Sequence, residues 1–162
     1  MDKTFLHRVN SSLKTIKTQI LLNEDIRKML YYDDVVNNLV PTIEIMKDYV
    51  FLQPVINVDT IEPFNKKNYI TITIPEGNKQ SNKMHYTVRI IVMCDKTSWQ
   101  LNTDIRPLLI SQEIINILDG YKLDMSNQLS FSSIVETVTS KDVYGYSLLF
   151  NITDGISDIY EK

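Results

Sequence analysis

The chain is short of the residues that most chemistry and secretion depend on. Cys94 is the single cysteine among 162 residues, which excludes an intrachain disulfide and a cysteine-rich metal site. Two histidines, four glycines and one tryptophan complete the scarce set. No apolar run approaches the ~18 residues a membrane-spanning helix requires. The first residues, Met1-Asp2-Lys3-Thr4, pass into an amphipathic pattern and not into the apolar stretch of a signal peptide. Basic excess is missing too: the formal net charge is -3, whereas a protein that coats nucleic acid electrostatically carries a clear positive balance. The glycines at 77, 120, 145 and 155 never take phosphate-cradle spacing, and HExxH, CxxC, EF-hand loops and acid-x-Lys triplets are absent. The expectation is a soluble intracellular domain with no catalytic activity, no metal and no cofactor.

What is present suffices for one core. Hydrophobic residues make up 43% and charged residues 23%, ordinary for a globular chain, and residues 1–162 read as a single domain. Enrichment in Ile, Asn, Lys and Tyr is what an AT-rich genome produces and says little about chemistry. Leu6, Val9, Leu13, Ile16 and Ile20 recur at helical spacing over residues 5–22. Asn23-Glu24-Asp25 then reads as a cap followed by first-turn acids, placing the helical N-terminal part at about 5–34. Residues 42–49 are either a short helical turn or irregular. Residues 59–67 read as a surface loop.

The period changes after residue 68. Ile70, Ile72 and Ile74 alternate with Thr71 and Thr73, a strand that Pro75 is expected to stop. Pro75 to Lys83 is polar and aperiodic and reads as a mobile loop. Tyr86 to Cys94 is apolar on both faces, as in a strand covered on both sides. Together these make a hairpin at about 69–94. A helix at about 103–118 follows, its regular part beginning near Pro107 and stopping at Gly120. In the hairpin at about 128–153, the phase slips near Ser132-Ser133, which predicts a bulge. Residues 138–142 are read as its turn. Tyr144, Tyr146, Leu148, Phe150 and Ile152 then alternate strictly. The fold class is α+β: an antiparallel sheet built from two hairpins, with helices packed on one face, in the order helix-strand-strand-helix-strand-strand.

Chemistry-bearing residues are few and separated. His85 and Cys94 lie on one proposed strand, roughly 30 Å apart when extended, so they cannot form a nucleophile–base pair within it. His7 starts the first helix, and Asp33-Asp34 reads as a solvated helix end. Lys66, Lys67, Lys79 and Lys83, with Tyr69 and Tyr86, make a basic–aromatic mix that can stack bases, although lysines also protect strand edges. Aromatic side chains on the last strand are the stronger feature, because uncovered aromatics mark protein partners. The candidate partner interface is therefore Asn78, Lys79 and Lys83 at the hairpin tip, with Tyr144 and Tyr146.

Three stretches carry a resemblance. They are Ile26-Arg27-Lys28-Met29-Leu30-Tyr31-Tyr32-Asp33; Gln53-Pro54-Val55-Ile56 leading to the strand Tyr69 to Pro75; and Thr103-Asp104-Ile105-Arg106 with its helix, Gly120, Leu123, Phe131 and Tyr144-Gly145-Tyr146. In these residues and in element order the chain resembles tail-terminator and tail-completion proteins of the neck of long-tailed bacteriophages. Tyr121-Lys122-Leu123-Asp124-Met125 departs from the glycine-bearing segment typical there. The resemblance implies a structural virion protein: a homo-oligomeric ring, commonly sixfold, that caps the tail tube and joins it to the head connector. Its partners would be itself, the tail tube protein and the head-connector or stopper protein, with DNA passing without specific binding and no membrane. It would sit in the neck of the virion, and in the host cytoplasm during assembly. A head-completion or stopper protein is the alternative, and a nucleic-acid-binding protein a more distant one.

Overall fold

Residues 3–34, 39–52, 67–80, 83–101, 104–123, 127–140 and 142–155 are described by the structure, a computed structural model. Helix α1, Lys3–Leu22, turns Ile16, Ile20 and Leu21 fully inward. Helix α2, Glu24–Tyr31, starts where the sequence places it: the Asn23 side-chain oxygen accepts from the Ile26 N–H at 2.9 Å, and Glu24 and Asp25 occupy the first turn. The short helix α3, Ile43–Met46, runs through a 3-10 turn, Lys47–Tyr49, into strand β1, Val50–Phe51.

Strands β2 (Asn68–Gln80) and β3 (Lys83–Asp95) form the first hairpin. A two-stranded ribbon of β4 (Gln100–Leu101) and β5 (Asp104–Ile105) precedes helix α4, Arg106–Leu118. Strands β6 (Ser130–Ser140) and β7 (Val143–Gly155) form the second hairpin. The main sheet has the order β1-β2-β3-β7-β6, antiparallel except where β1 joins β2 in parallel. The α+β class, with two hairpins and helices on one face, is as the periodicities predict. The short strands β1, β4 and β5 are additions: a two-residue strand carries too few residues to show an alternation.

The helix-side core forms because each strand repeats every two residues while the helices repeat every three to four. Ile70, Ile72, Val88, Ile90, Val92, Cys94, Leu148, Phe150 and Ile152 meet Ile16, Ile20, Ile26, Leu30, Ile110, Ile114 and Leu118. The opposite face of the sheet also buries Tyr69, Ile91, Met93 and Val143, with Phe51 packed beside them. This accounts for a β3 that is apolar on both faces. Gly120 ends α4 in the left-handed region, φ 78°, while the Tyr121 N–H reaches the Leu118 carbonyl at 3.0 Å.

Several expectations are corrected. Pro75 does not stop β2. The register jumps between Thr73 and Glu76, so the proline, which has no N–H to donate, sits in a bulge and pairing resumes at Glu76↔Thr87. Pro75 to Lys83 is therefore not a loop: pairing continues to Gln80↔Lys83 and only residues 81–82, outside the described residues, remain between the strands. Polar composition suggested a loop because residues 75–78 are exposed, and exposure favours polar side chains in a paired strand as much as in a loop. The helix expected from about 103 begins at Arg106, since Asp104 and Ile105 pair with Leu101 and Gln100. The turn read at 138–142 is shorter, because β6 pairs as far as Ser140↔Val143. The bulge expected near Ser132-Ser133 is present, between Phe131 and Ser133. The loop read over 59–67 lies, except for Lys67, outside the described residues.

Candidate interaction surface and its buried support

One buried cation ties the first and third of the resembling segments, while Gln53 to Ile56 of the second lie outside the described residues. Arg106, the first residue of α4, is fully buried. Its Nε donates to the Ser98 carbonyl at 2.6 Å, Nη1 to the carbonyls of Met29 and of Tyr32 (2.6 Å), and Nη2 to the Asp33 carbonyl. Asn68 donates to the Leu30 carbonyl and accepts from Ser98 Oγ. The carbonyls that end α2, which no intrahelical donor reaches, are thus satisfied by side chains from α4 and β2. A guanidinium suits this place because its donors fan out in a plane and the helix C-terminus carries partial negative charge. Burial pulls its pKa down from the ordinary arginine value, while Cys94, Asp33 and Asp34 act in the other direction. At the surface Lys67 pairs with Asp33 at 3.0 Å, so Asp33 is engaged on both its backbone and its carboxylate.

The sequence-predicted interface residues do not form one site. Asn78 is exposed on β2 and pairs with His85; Lys79 and Lys83 are strand residues paired with Met84 and Gln80. Tyr144 and Tyr146 pair with Cys94 and Val92 at the far end of β3, roughly 35 Å from the hairpin tip at ~3.3 Å per residue. They are also less open than the aromatic strip suggested. Phe150, Leu148 and Ile152 are core, and Tyr144 and Tyr146 are half-buried against Trp99, with ring centroids 5.9 and 6.4 Å away.

The open apolar surface lies next door, on β6, which the sequence reading did not single out. Helix α4 covers β3, β7 and the start of β6, where Phe131 stacks edge-on against Phe150 and its N–H reaches Asp119 Oδ1 at 2.9 Å. Beyond that point Ile134, Glu136 and Val138 continue the same face, opposite Leu148, Tyr146 and Tyr144. Ile134 is 39% and Val138 59% exposed, and Val135 on the other face is 55% exposed. Strand β6 is an edge strand, and its sequence, SFSSIVETVTS, contains no Lys, Arg or Pro, the residues that usually guard an edge against pairing. Bulges at Phe131/Ser133 and Val138/Ser140 bracket a regular run between them. The available signal was the adjacent pair Ile134-Val135, which point to opposite faces of the strand and so need cover on both sides, as only a strand flanked like β3 receives.

The remaining candidates fall outside any shared site. His85 and Cys94 stand toward opposite ends of β3. Burial pushes the Cys94 thiol up to about 12, so the nucleophilic thiolate is suppressed in the folded state. A raised thiol pKa means the native state holds its proton more tightly than the unfolded chain. Its contribution to stability is present below about pH 9 and is lost as the pH rises from 9 towards 12. Wild type should thus lose stability to urea across that window more steeply than Cys94→Ala, measured as the pH dependence of the denaturation midpoint. Equal slopes would show that Cys94 does not carry the effect.

Comparison with curated proteins found no match. A model of the YomW family matches residues 23–152, from the α2 cap through the edge strand and most of β7, with Arg106 inside the match. The YomW name comes from a Bacillus phage of the SPBeta type, and this chain, matched over most of its length, belongs to that phage-associated YomW family.

Proposed function

We propose that the protein is a non-catalytic structural component of the phage neck, a tail-terminator-like ring subunit that caps the tail tube and joins it to the head connector. The observation that carries this reading is the unguarded edge strand β6 with exposed Ile134, Val135 and Val138: contiguous open apolar side chains on a strand edge are a protein-contact surface. Membership in a phage-associated family directs the search for its partner to the particle. The net charge of -3 suits a conduit, since an acidic wall repels DNA phosphates and lets the duplex slide. No cofactor enters this function.

The test is removal of the gene from the phage that carries it, with electron microscopy of the lysate and gold labelling of a tagged, complementing copy. The expected result is DNA-filled heads separate from tails with uncapped, uneven ends, and label confined to the neck of complemented particles. Finished free tails beside heads that leak DNA would instead make it a stopper. Label over the capsid shell, or normal particles without the gene, would overturn the neck assignment.

A further inference from the structure

A second apolar surface lies on the opposite edge of the fold. Between the C-terminal half of α1 and the α3 turn runs a groove whose lining includes Lys14, Lys17, Leu21, Leu22, Ile43 and Lys47. Leu22 is 53% and Ile43 37% exposed. Lys17 Nζ bridges the groove to the Lys47 carbonyl at 3.3 Å. Its pKa is lowered, first by burial; Asp48 acts in the other direction and Lys47 lowers it further. The segment that forms the groove leads directly into β1. Strand β1 is one edge of the sheet and β6 the other, four strand spacings or roughly 19 Å away.

We propose that these two surfaces are the halves of one head-to-tail contact: the Ile134–Glu136–Val138 face of β6 in one copy seats in the lysine-rimmed groove between α1 and α3 of the next. Three features select a second copy as the occupant. Each surface pairs exposed branched aliphatics with charge, and the charges are opposite: Glu136 on the strand, Lys14 and Lys17 around the groove, where Lys47 is already paired with Glu44 at 2.6 Å. Neither Glu136 nor Lys14 is in an ion pair among the described residues, so both are open to a partner. The two surfaces lie on opposite edges, so one copy cannot engage both on the same neighbour. Such a heterologous contact either closes into a ring or propagates. The contact deepens the ring reading given above and rests on it for closure.

Single-cysteine variants test the pairing in solution, with the native Cys94 buried and out of reach. Ile43→Cys and Ile134→Cys are treated separately and as an equimolar mixture with a flexible bismaleimide. The expected result is little dimer from either variant alone and at least a tenfold greater yield of cross-linked dimer from the mixture, suppressed by Glu136→Lys in the strand partner and regained when Lys17→Glu is placed in the groove partner. The double variant Ile43→Cys/Ile134→Cys should give a ladder of covalent oligomers. Homodimer from Ile134→Cys alone would mean two-fold pairing of β6 edges and overturn the proposal, as would a mixture no more reactive than its components. Either outcome leaves the neck assignment standing, because that assignment is read from label position on particles. Conversely, label on the capsid would leave this contact intact.

Discussion

Arg106→Met should be the most destabilising substitution at any buried polar side chain described above, with a loss of about 3–5 kcal/mol. The reason is the nature of its partners. A buried Arg–carboxylate pair can be replaced as a unit by apolar residues, but the carbonyls of Met29, Tyr32, Asp33 and Ser98 belong to the backbone and remain when the guanidinium is gone. Each is then a desolvated acceptor without a donor, three of them at the end of α2, where the helix dipole already concentrates negative charge. Arg106→Lys keeps the charge yet supplies one compact ammonium for acceptors spread around a planar fork, so it should recover less than half of the loss. Trp99, the single tryptophan, is well placed to report this, since its own carbonyl accepts the Arg106 backbone N–H at 2.8 Å. In urea the midpoint should fall by about 2 M, taking a slope of about 2 kcal/mol per molar. A Met variant within 1 kcal/mol of wild type would show that the guanidinium does not hold α2 to α4.

Gly145→Ala should rank second, at about 3 kcal/mol or more. A Cβ on Gly145 would lie 1.7 Å from the Val92 carbonyl oxygen and 2.7 Å from its carbon. Those are backbone atoms of the central strand, so no rotamer change relieves the clash and β3 must separate from β7. Gly145 is paired with Met93 on one side and Thr137 on the other, which leaves the sheet nowhere to yield. The damage should spread to the rings beside it, because Tyr144 and Tyr146 hold Trp99 in its half-buried place. A red-shifted Trp99 emission and weakened near-ultraviolet circular dichroism should therefore accompany the loss. Ser147→Ala, one alternation along the same face and nearly buried, is the control and should change stability by under about 1 kcal/mol. An alanine variant as stable as the control would mean that the close approach of the strands is not required.

The parts of this fold that were readable in advance are those governed by local geometry. Asn23 could be named as a cap because its side chain acts on a residue three positions ahead. Gly120 could be named as a stop because a left-handed residue after a helix favours glycine. The slip at Ser132-Ser133 showed as a broken alternation. Pro75 misled because the same local rule has two outcomes: a residue without an N–H either ends a strand or occupies a bulge, and only the presence of a partner strand continuing alongside selects the second. The aromatic strip of β7 misled for a related reason. Its alternation correctly gave one common face, yet alternation does not tell which face a helix covers, and α4 lies over most of it.

Local pattern along this chain thus determined the main elements, the α+β class and the alternation of each long strand, because caps, stops and period-two or period-3.6 repeats act over a few residues. Tertiary structure alone decided which surfaces stay open and which charge goes inside. Arg106 reads in sequence as an ordinary residue before a helix; it becomes the buried tie of α2 and α4 only because α2 ends against it, more than seventy positions earlier in the chain. In sequence Ile134 sits next to a slip of phase and Val138 falls in the turn; both are strand residues that stay open because α4 is too short and too central to reach the far half of an edge strand. Burial is a property of what lies across the sheet, and that is set by contacts between segments far apart in the chain, which periodicity does not encode.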